Sequence, residues 1–178
     1  YAFRGMCMDL ELMDWLNQYT FPEEEKYTNL DYAEKAYSIF TKALKNSATT
    51  RACIFATRHR EATVLLMELM EKTGLVSYVG KVNMDREASE ALVEESVESS
   101  AYQTFGWINS VHNKFQNTKP ILTPRFIPCC TDELMEELKQ IQMTYGIPVQ
   151  SHLSESPGEI EFVKFLRPNN EFYGDAYN

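Results

Sequence analysis

The spacing of apolar and polar residues predicts two helices in the first quarter of the chain. Apolar side chains between positions 12 and 19 recur at helical intervals, and the polar, proline-containing stretch 20–25 is expected to end that first helix. Asp31 stands three residues before Glu34, as in a capping box, and apolar residues then hold one face of a helix that runs to about Asn46. From there onward, extended and helical segments alternate.

The short, mainly apolar run 50–57 has no helical period and predicts a buried strand, and three further short segments are expected to be strands; each of the four is followed by a helix. Because parallel strands need crossover connections, this order predicts a parallel sheet. The expected strands are 50–57, 77–84, 119–126 and 148–152. The first strand is followed by a helix that ends at Gly74, and the second by a long polar helix over 91–115. The third is followed by a helix from Thr131 to Gly146, and the fourth by a helix that Ser156 caps and Pro168 ends.

Such a sheet can be open and doubly wound or closed into a barrel, and the glycine pattern distinguishes these two folds. An open doubly wound sheet usually carries a glycine-rich phosphate turn after a strand, but the chain has 7 glycines and neither a G-x-G-x-x-G motif nor a P-loop. A (β/α)8 barrel takes about 250 residues, so four βα modules make roughly half of one. We therefore predict an α/β fold, namely a partial TIM barrel with an N-terminal helical insertion.

Charge and composition narrow the range of partners. The 178 residues carry 17 Lys and Arg against 26 Asp and Glu, and the net charge of −9 argues against nucleic acid and anionic membranes as partners. The 4 cysteines have neither C-x-x-C spacing nor the density of a disulfide scaffold, which indicates free thiols in a reducing cytoplasm. Because the chain begins without Met, we expect it to be a piece of a longer polypeptide.

The candidates for chemistry are the residues that close each expected strand, because a barrel places its reacting groups at the carboxyl ends of the strands. The second strand closes with residues 83–85 and the third with Arg125 and Phe126. The fourth closes with His152, and Glu155 follows three residues later.

The position of His152 has two interpretations. A lone histidine on an apolar strand can be a core side chain whose hydrogen bonds are satisfied. Alternatively it binds a metal ion, since Glu155 lies close enough to reach a water held by the imidazole, as in general-base hydrolysis. Zinc needs three or four protein ligands, and no other histidine closes an expected strand, so the spacing alone leaves both readings open.

The pair Arg125 and Phe126 also has two interpretations. They can be a surface cation beside a core aromatic. At the end of a strand, however, a guanidinium can donate to a carbonyl or ring nitrogen of a planar ligand while the aromatic residue packs against it. The acidic run Glu94, Glu95 and Glu98 is expected to form a solvated helix face.

Five strings in the chain resemble the guanine deaminases of the amidohydrolase superfamily, in the same order and over almost the whole length. The strings TFPEE and VGKVNMD carry the most weight, because S-H-x-S-E also occurs in related deaminases and chlorohydrolases. The five are WLNQYTFPEE (15–24), TRACIFAT (50–57), YVGKVNMD (78–85), TPRFIPCC (123–130) and VQSHLSE (149–155).

The resemblance implies a barrel of the metal-dependent hydrolase type, with residues 1–178 as the central part of one domain, approximately strands 2–5. It also implies hydrolytic deamination of guanine to xanthine and ammonia by a metal-activated water, a step of purine catabolism. His152 matches a metal-binding histidine that also borders the substrate, and Glu155 matches the catalytic carboxylate that shuttles protons. Arg125 and Phe126 match the pair that holds the purine.

Zinc is the metal that the resemblance implies, with iron as the alternative. The family's H-x-H pair, its sixth-strand histidine and its eighth-strand aspartate would all lie outside this chain, so the segment alone is expected to be inactive. Two other functions stay open, a related amidohydrolase acting on another heterocycle and a non-catalytic barrel used for binding. By analogy with the family, a cytoplasmic homodimer is expected.

Overall fold

The computed structural model describes residues 4–178, in which helices alternate with short parallel strands. Residues 1–3 of the expected domain lie outside this range. The strands are β1 (Arg51–Phe55), β2 (Val76–Gly80), β3 (Val82–Asn83), β4 (Thr118–Pro120) and β5 (Thr123–Pro124). The helices are α1 (Leu12–Trp15), α2 (Phe21–Glu25), α3 (Leu30–Lys45), α4 (Arg60–Thr73), α5 (Val97–Val111), α6 (Asp132–Tyr145) and α7 (Pro157–Leu166).

The strands form two parallel sheets that continue one another. β1, β2 and β4 lie side by side in that order, with Cys53 opposite Tyr78 and Tyr78 opposite Lys119. β3 follows directly after β2, and β5 follows shortly after β4; these two strands pair with each other in parallel. A Cβ on Gly80 would lie 1.7 Å from Oγ1 of Thr123, so only glycine lets β2 run this close to β5.

The N-terminal helical segment is longer than the sequence predicted. The expected break at 20–25 is wrong, because a π-helical turn over Leu16–Thr20 leads directly into α2. Pro22 lies in the first turn of α2, where its missing N–H is not needed. The expected cap of α3 is also displaced: the side chain of Asn29, not of Asp31, accepts the N–H groups of the first turn.

The expected strands at 77–84 and 119–126 are each interrupted, and the one at 148–152 is reduced to a single bridge between Leu122 and Val149. The chain at 148–152 is nevertheless extended beside β5, since Gln150 donates to the carbonyl of Leu122 and His152 donates to that of Arg125. Pro148 can donate no ladder hydrogen bond, which shortens the regular part of this segment.

The helix expected over 91–115 is wrong in its first part. α5 begins only at Val97, where the side chain of Ser96 caps it, and the preceding residues fold back as a loop. Glu94, expected on a solvated face, is 2% exposed and pairs with the buried Lys81. An acidic run alone does not reveal that one of its members pairs with a lysine between β2 and β3.

The other helix ends agree with the sequence. α4 and α6 end at Gly74 and Gly146, which both adopt the left-handed conformation that favours glycine. α6 begins at Thr131, and α7 begins with a full capping box between Ser156 and Glu159.

The core has two parts. The larger lies between the sheet and helices α3–α6, with Trp107, Leu66 and Val79 at its centre. The smaller lies at the carboxyl ends of β3 and β5, where Phe21 of α2 packs with Phe126. Within residues 4–178, none of the helices has the length and apolar character that a bilayer crossing requires.

Candidate active site

A cavity of about 370 Å³ opens at the carboxyl ends of the strands, beside the N-terminal helical segment. The four residues predicted from the sequence, Arg125, Phe126, His152 and Glu155, all line it. They reach it because β5 and the extended segment 148–152 end at the same edge of the sheet. The remaining walls are mainly apolar and come chiefly from the N-terminal helical segment up to α3 and from β1 with the two residues after it.

His152 is oriented by the main chain of Arg125. The carbonyl oxygen of Arg125 lies 3.1 Å from the backbone nitrogen of His152 and 2.8 Å from its ring Nδ1. A carbonyl can only accept, so Nδ1 carries the proton and Nε2 keeps a free lone pair. The ring also packs on Phe55, with 4.1 Å between the centroids.

This arrangement fits a histidine that binds a metal through Nε2, since ligating histidines usually donate their other ring N–H to a carbonyl or carboxylate. His152 lines the cavity, and the hydrogen bond that its ring makes among the described residues is through Nδ1. Within the part of the chain that the structure describes, however, no three His, Cys, Asp or Glu side chains come together as a metal site. His152 is therefore one candidate ligand of an incomplete set.

Arg125 is buried, with 8% of the residue exposed, so the interpretation as a surface cation is wrong. Its Nη1 donates to Oε2 of Glu24 at 2.7 Å, and the guanidinium lies over the ring of Phe21 at 5.0 Å. Burial lowers the pKa of Arg125, but Glu24, Cys129 and Glu155 together raise it, so that the pKa lies above its ordinary value. The guanidinium is therefore a permanently charged donor at the cavity wall.

Glu155 stands on the exposed rim of the cavity, held there by its own backbone. Ser154 adopts a left-handed conformation with φ 57°, which turns the chain sharply after His152. The N–H of Glu155 then donates to Oε2 of the fully buried Glu159 at 2.6 Å. Because the main chain carries the anchoring bond, the carboxylate of Glu155 stays available to a ligand.

Residues 83–85, also considered as site candidates, have structural partners instead. The amide of Asn83 donates to Ser100 and Thr104, and the carboxylate of Asp85 accepts the N–H of Thr131 at 2.9 Å. These contacts fasten the ends of β3 to α5 and α6, and none of the three residues lines the cavity.

Four residues that hold this site could not be predicted from the sequence. Glu24 belongs to the TFPEE string, but its polar surroundings indicate a break and not a buried carboxylate. Glu159, three residues after Ser156, has the spacing of a capping residue only. Phe55, against the imidazole, has the pattern of any strand residue, and Tyr177, whose hydroxyl donates to the carbonyl of His152 at 2.7 Å, follows the last predicted helix without a recognisable motif.

Comparisons with known proteins found relatives over nearly the whole chain. The model of the amidohydrolase family matches residues 1–172. Guanine deaminase of Rattus norvegicus is 42% identical over 100% of this chain and 39% of its own length. The chain therefore spans about two fifths of the length of the curated relatives it matches.

Solved structures give the same correspondence in three dimensions. A guanine deaminase from C. acetobutylicum, solved with guanine in its active site, superposes with a TM-score of 0.95 at 45% identity, covering 99% of this chain and 42% of that one. Atrazine chlorohydrolase TrzN from Arthrobacter aurescens, solved with zinc, has a TM-score of 0.65 at 18% identity over 82% of this chain and 34% of its own, which is a likeness of fold alone.

Proposed function

The chain belongs to the amidohydrolase family, and on that premise we propose that the protein carrying it hydrolyses guanine to xanthine and ammonia. The observation that carries the proposal is the meeting of Arg125, Phe126, His152 and Glu155 at one cavity. The relatives at 42% and 45% identity that bear the name guanine deaminase support the choice of substrate.

We assign the chain to the central part of one (β/α)8 barrel domain, approximately strands 2–5, with residues before β1 as a helical insertion. The parallel order β1-β2-β4 and the continuation through β3 and β5 support this assignment. So does the position of the cavity, because barrels of this type place their sites at the carboxyl ends of the strands.

His152 would bind the metal through Nε2, together with ligands from outside the described residues. We assign zinc, with iron as the alternative, because imidazole nitrogen suits both metals. A metal ion bound there supplies an activated water at neutral pH. The Arg125 carbonyl holds the ring of His152 in the tautomer that such binding requires.

Glu155 acts as the proton carrier in this proposal. Water adds to C2 of guanine, the carbon that bears the exocyclic amine, and Glu155 takes the proton that the water gives up. The same carboxyl passes this proton to ring N3 and then carries the remaining hydroxyl proton to the exocyclic nitrogen. The bond between C2 and that nitrogen breaks, ammonia leaves, and C2 becomes a carbonyl. Such general acid–base catalysis contributes about 10²- to 10⁴-fold to a rate.

Arg125 and Phe126 hold the purine. The guanidinium presents several N–H donors in a planar fork, which matches the acceptor edge of guanine that carries O6 and N7. The buried Phe126 closes the wall next to it. This division of roles puts recognition on the strand end at 125–126 and chemistry on the loop at 152–155.

A purine and pyrimidine panel tests the proposal in the natural full-length protein. Loaded with zinc, it should release ammonia rapidly from guanine and much more slowly from adenine and cytosine. Equal or faster release from adenine would exclude the assignment. Chloride release from a chlorinated triazine would favour a related hydrolase, and tight heterocycle binding without any turnover would favour a binding protein.

The cytoplasmic location, the homodimer and the place in purine catabolism stay predictions from the family resemblance.

A further inference from the structure

The ion pair between Arg125 and Glu24 joins two parts of the chain that the sequence keeps 101 residues apart. Glu24 is on α2 in the helical segment, whereas Arg125 follows β5 at the strand end. The side chains of Arg125 and Glu24 are 10% and 8% exposed, and both residues line the cavity. The pair is therefore part of the cavity wall and not a surface contact.

The pair changes the charge that a ligand meets. A lone guanidinium in a cavity sheltered from water attracts anions strongly, because screening by solvent is weak there. With Glu24 at 2.7 Å, the guanidinium keeps its donors while its positive charge is cancelled. The other groups facing it add no positive charge: Phe21 is neutral, Glu155 is acidic, and burial raises the pKa of the Cys129 thiol to about 12.

Stability alone does not explain Glu24. Its Oε1 is buried and has no hydrogen-bond partner among the described residues. Leaving a buried acceptor unpaired costs about 1–3 kcal/mol, and more when the group is charged. An unpaired carboxylate oxygen on a residue that lines the cavity points to a use of Glu24 there.

We propose that Glu24 is a positioning residue that sets the charge selectivity of the cavity: it fixes Arg125 as a hydrogen-bond donor and cancels its charge, so that neutral heterocycles bind and anionic ones are rejected. This rests on the proposed function, because guanine is neutral near neutral pH whereas its product xanthine is a stronger acid. Glu24 then favours release of the product.

The test compares two purines of similar shape in the full-length protein at about pH 8, where hypoxanthine is mainly neutral and xanthine mainly an anion. Inhibition constants against guanine are measured for the unmodified protein, Glu24→Gln and Glu25→Gln. Glu24→Gln should shift the preference towards xanthine by roughly 10- to 100-fold, because the guanidinium loses a charge partner in a poorly screened site. Glu25→Gln makes the same change of charge on the same helix, away from the cavity, and should shift the preference less than about twofold.

A second variant separates charge selectivity from a loss of folding. Removing a whole buried pair is often tolerated, so Glu24→Gln combined with Arg125→Gln should fold and return the preference to the neutral purine, although with weaker binding. An unchanged preference in folded Glu24→Gln would overturn the proposal. So would tighter binding of xanthine than of hypoxanthine to the unmodified protein.

The failure of the proposed function gives a different result. If the protein binds purines but releases no ammonia from guanine, the same two ligands are compared by calorimetry. A charge preference that depends on Glu24 would then stand without the deaminase activity, and its absence would overturn the charge proposal alone.

Discussion

Replacing Glu94 by Gln should destabilise the protein more than any other single change of an acidic residue before α5. The side chains of Lys81 and Glu94 are 0% and 1% exposed, and Nζ lies 2.5 Å from Oε1. The other oxygen, Oε2, accepts from Ser100 Oγ at 2.5 Å and from the N–H of Met84 at 3.1 Å. One carboxylate thus connects β3, the loop that precedes α5, and α5 itself.

The size of the effect follows from the charge that remains. Burial lowers the pKa of Lys81, and the Glu94 carboxylate offsets part of that fall. Glu94→Gln leaves the ammonium buried without a counter-charge and replaces an acceptor oxygen by an NH₂ group. Breaking a buried pair in this way costs about 3–5 kcal/mol.

The assay is urea unfolding of the full-length protein, with Glu95→Gln as the control. Glu95 is exposed, and its replacement should change the free energy of unfolding by less than about 0.5 kcal/mol. Adding Lys81→Met to Glu94→Gln should recover part of the loss, since the unpaired charge is then gone. A loss below about 1 kcal/mol in Glu94→Gln, or a double variant less stable than the single one, would refute the reasoning.

Two further changes test other parts of the structure. Arg125→Ala should lower kcat/KM for guanine by roughly 10- to 1,000-fold while leaving urea unfolding cooperative, because it removes ligand donors and little core volume; wild-type kinetics would contradict its role. Because the thiol of Cys129 has a usual pKa of 9.0, raised to about 12 by burial, the unfolded chain loses that proton first, and stability should fall as pH rises from 9.0 towards about 12. Cys129→Ala should flatten this fall, and an equal pH dependence in both proteins would count against a buried thiol.

The sequence predicted helices more accurately than strands, for physical reasons. α4, α6 and α7 carry both an apolar stripe and local end signals such as Gly74, Gly146 and Ser156, and such signals act within one turn. The strands depend on hydrogen bonds to distant segments. Pro148 shows that one donor is missing from the fourth segment, but whether the residues after it form one bridge or a ladder depends on the position of β5.

The candidate site could be predicted as a set of residues but not as an arrangement. The position of Arg125, Phe126, His152 and Glu155 at the ends of expected strands brought all of them to the cavity. The role of Glu24 could not be predicted, because its partner Arg125 lies 101 residues away and sequence spacing gives no information over that distance. The orientation of the His152 imidazole could not be predicted either, because it depends on the backbone carbonyl of Arg125. Every residue has such a carbonyl, so the sequence does not show which one is used.

The most direct test of the account measures bound metal and ammonia release from guanine on the same sample of Glu155→Gln. If Glu155 carries protons and does not hold the metal, the variant keeps near-stoichiometric metal and still binds guanine, while kcat falls by about 10²-fold or more. His152→Ala, in contrast, should lose metal and activity together. Loss of metal from Glu155→Gln, or retention of more than about a tenth of the wild-type kcat, would contradict the account.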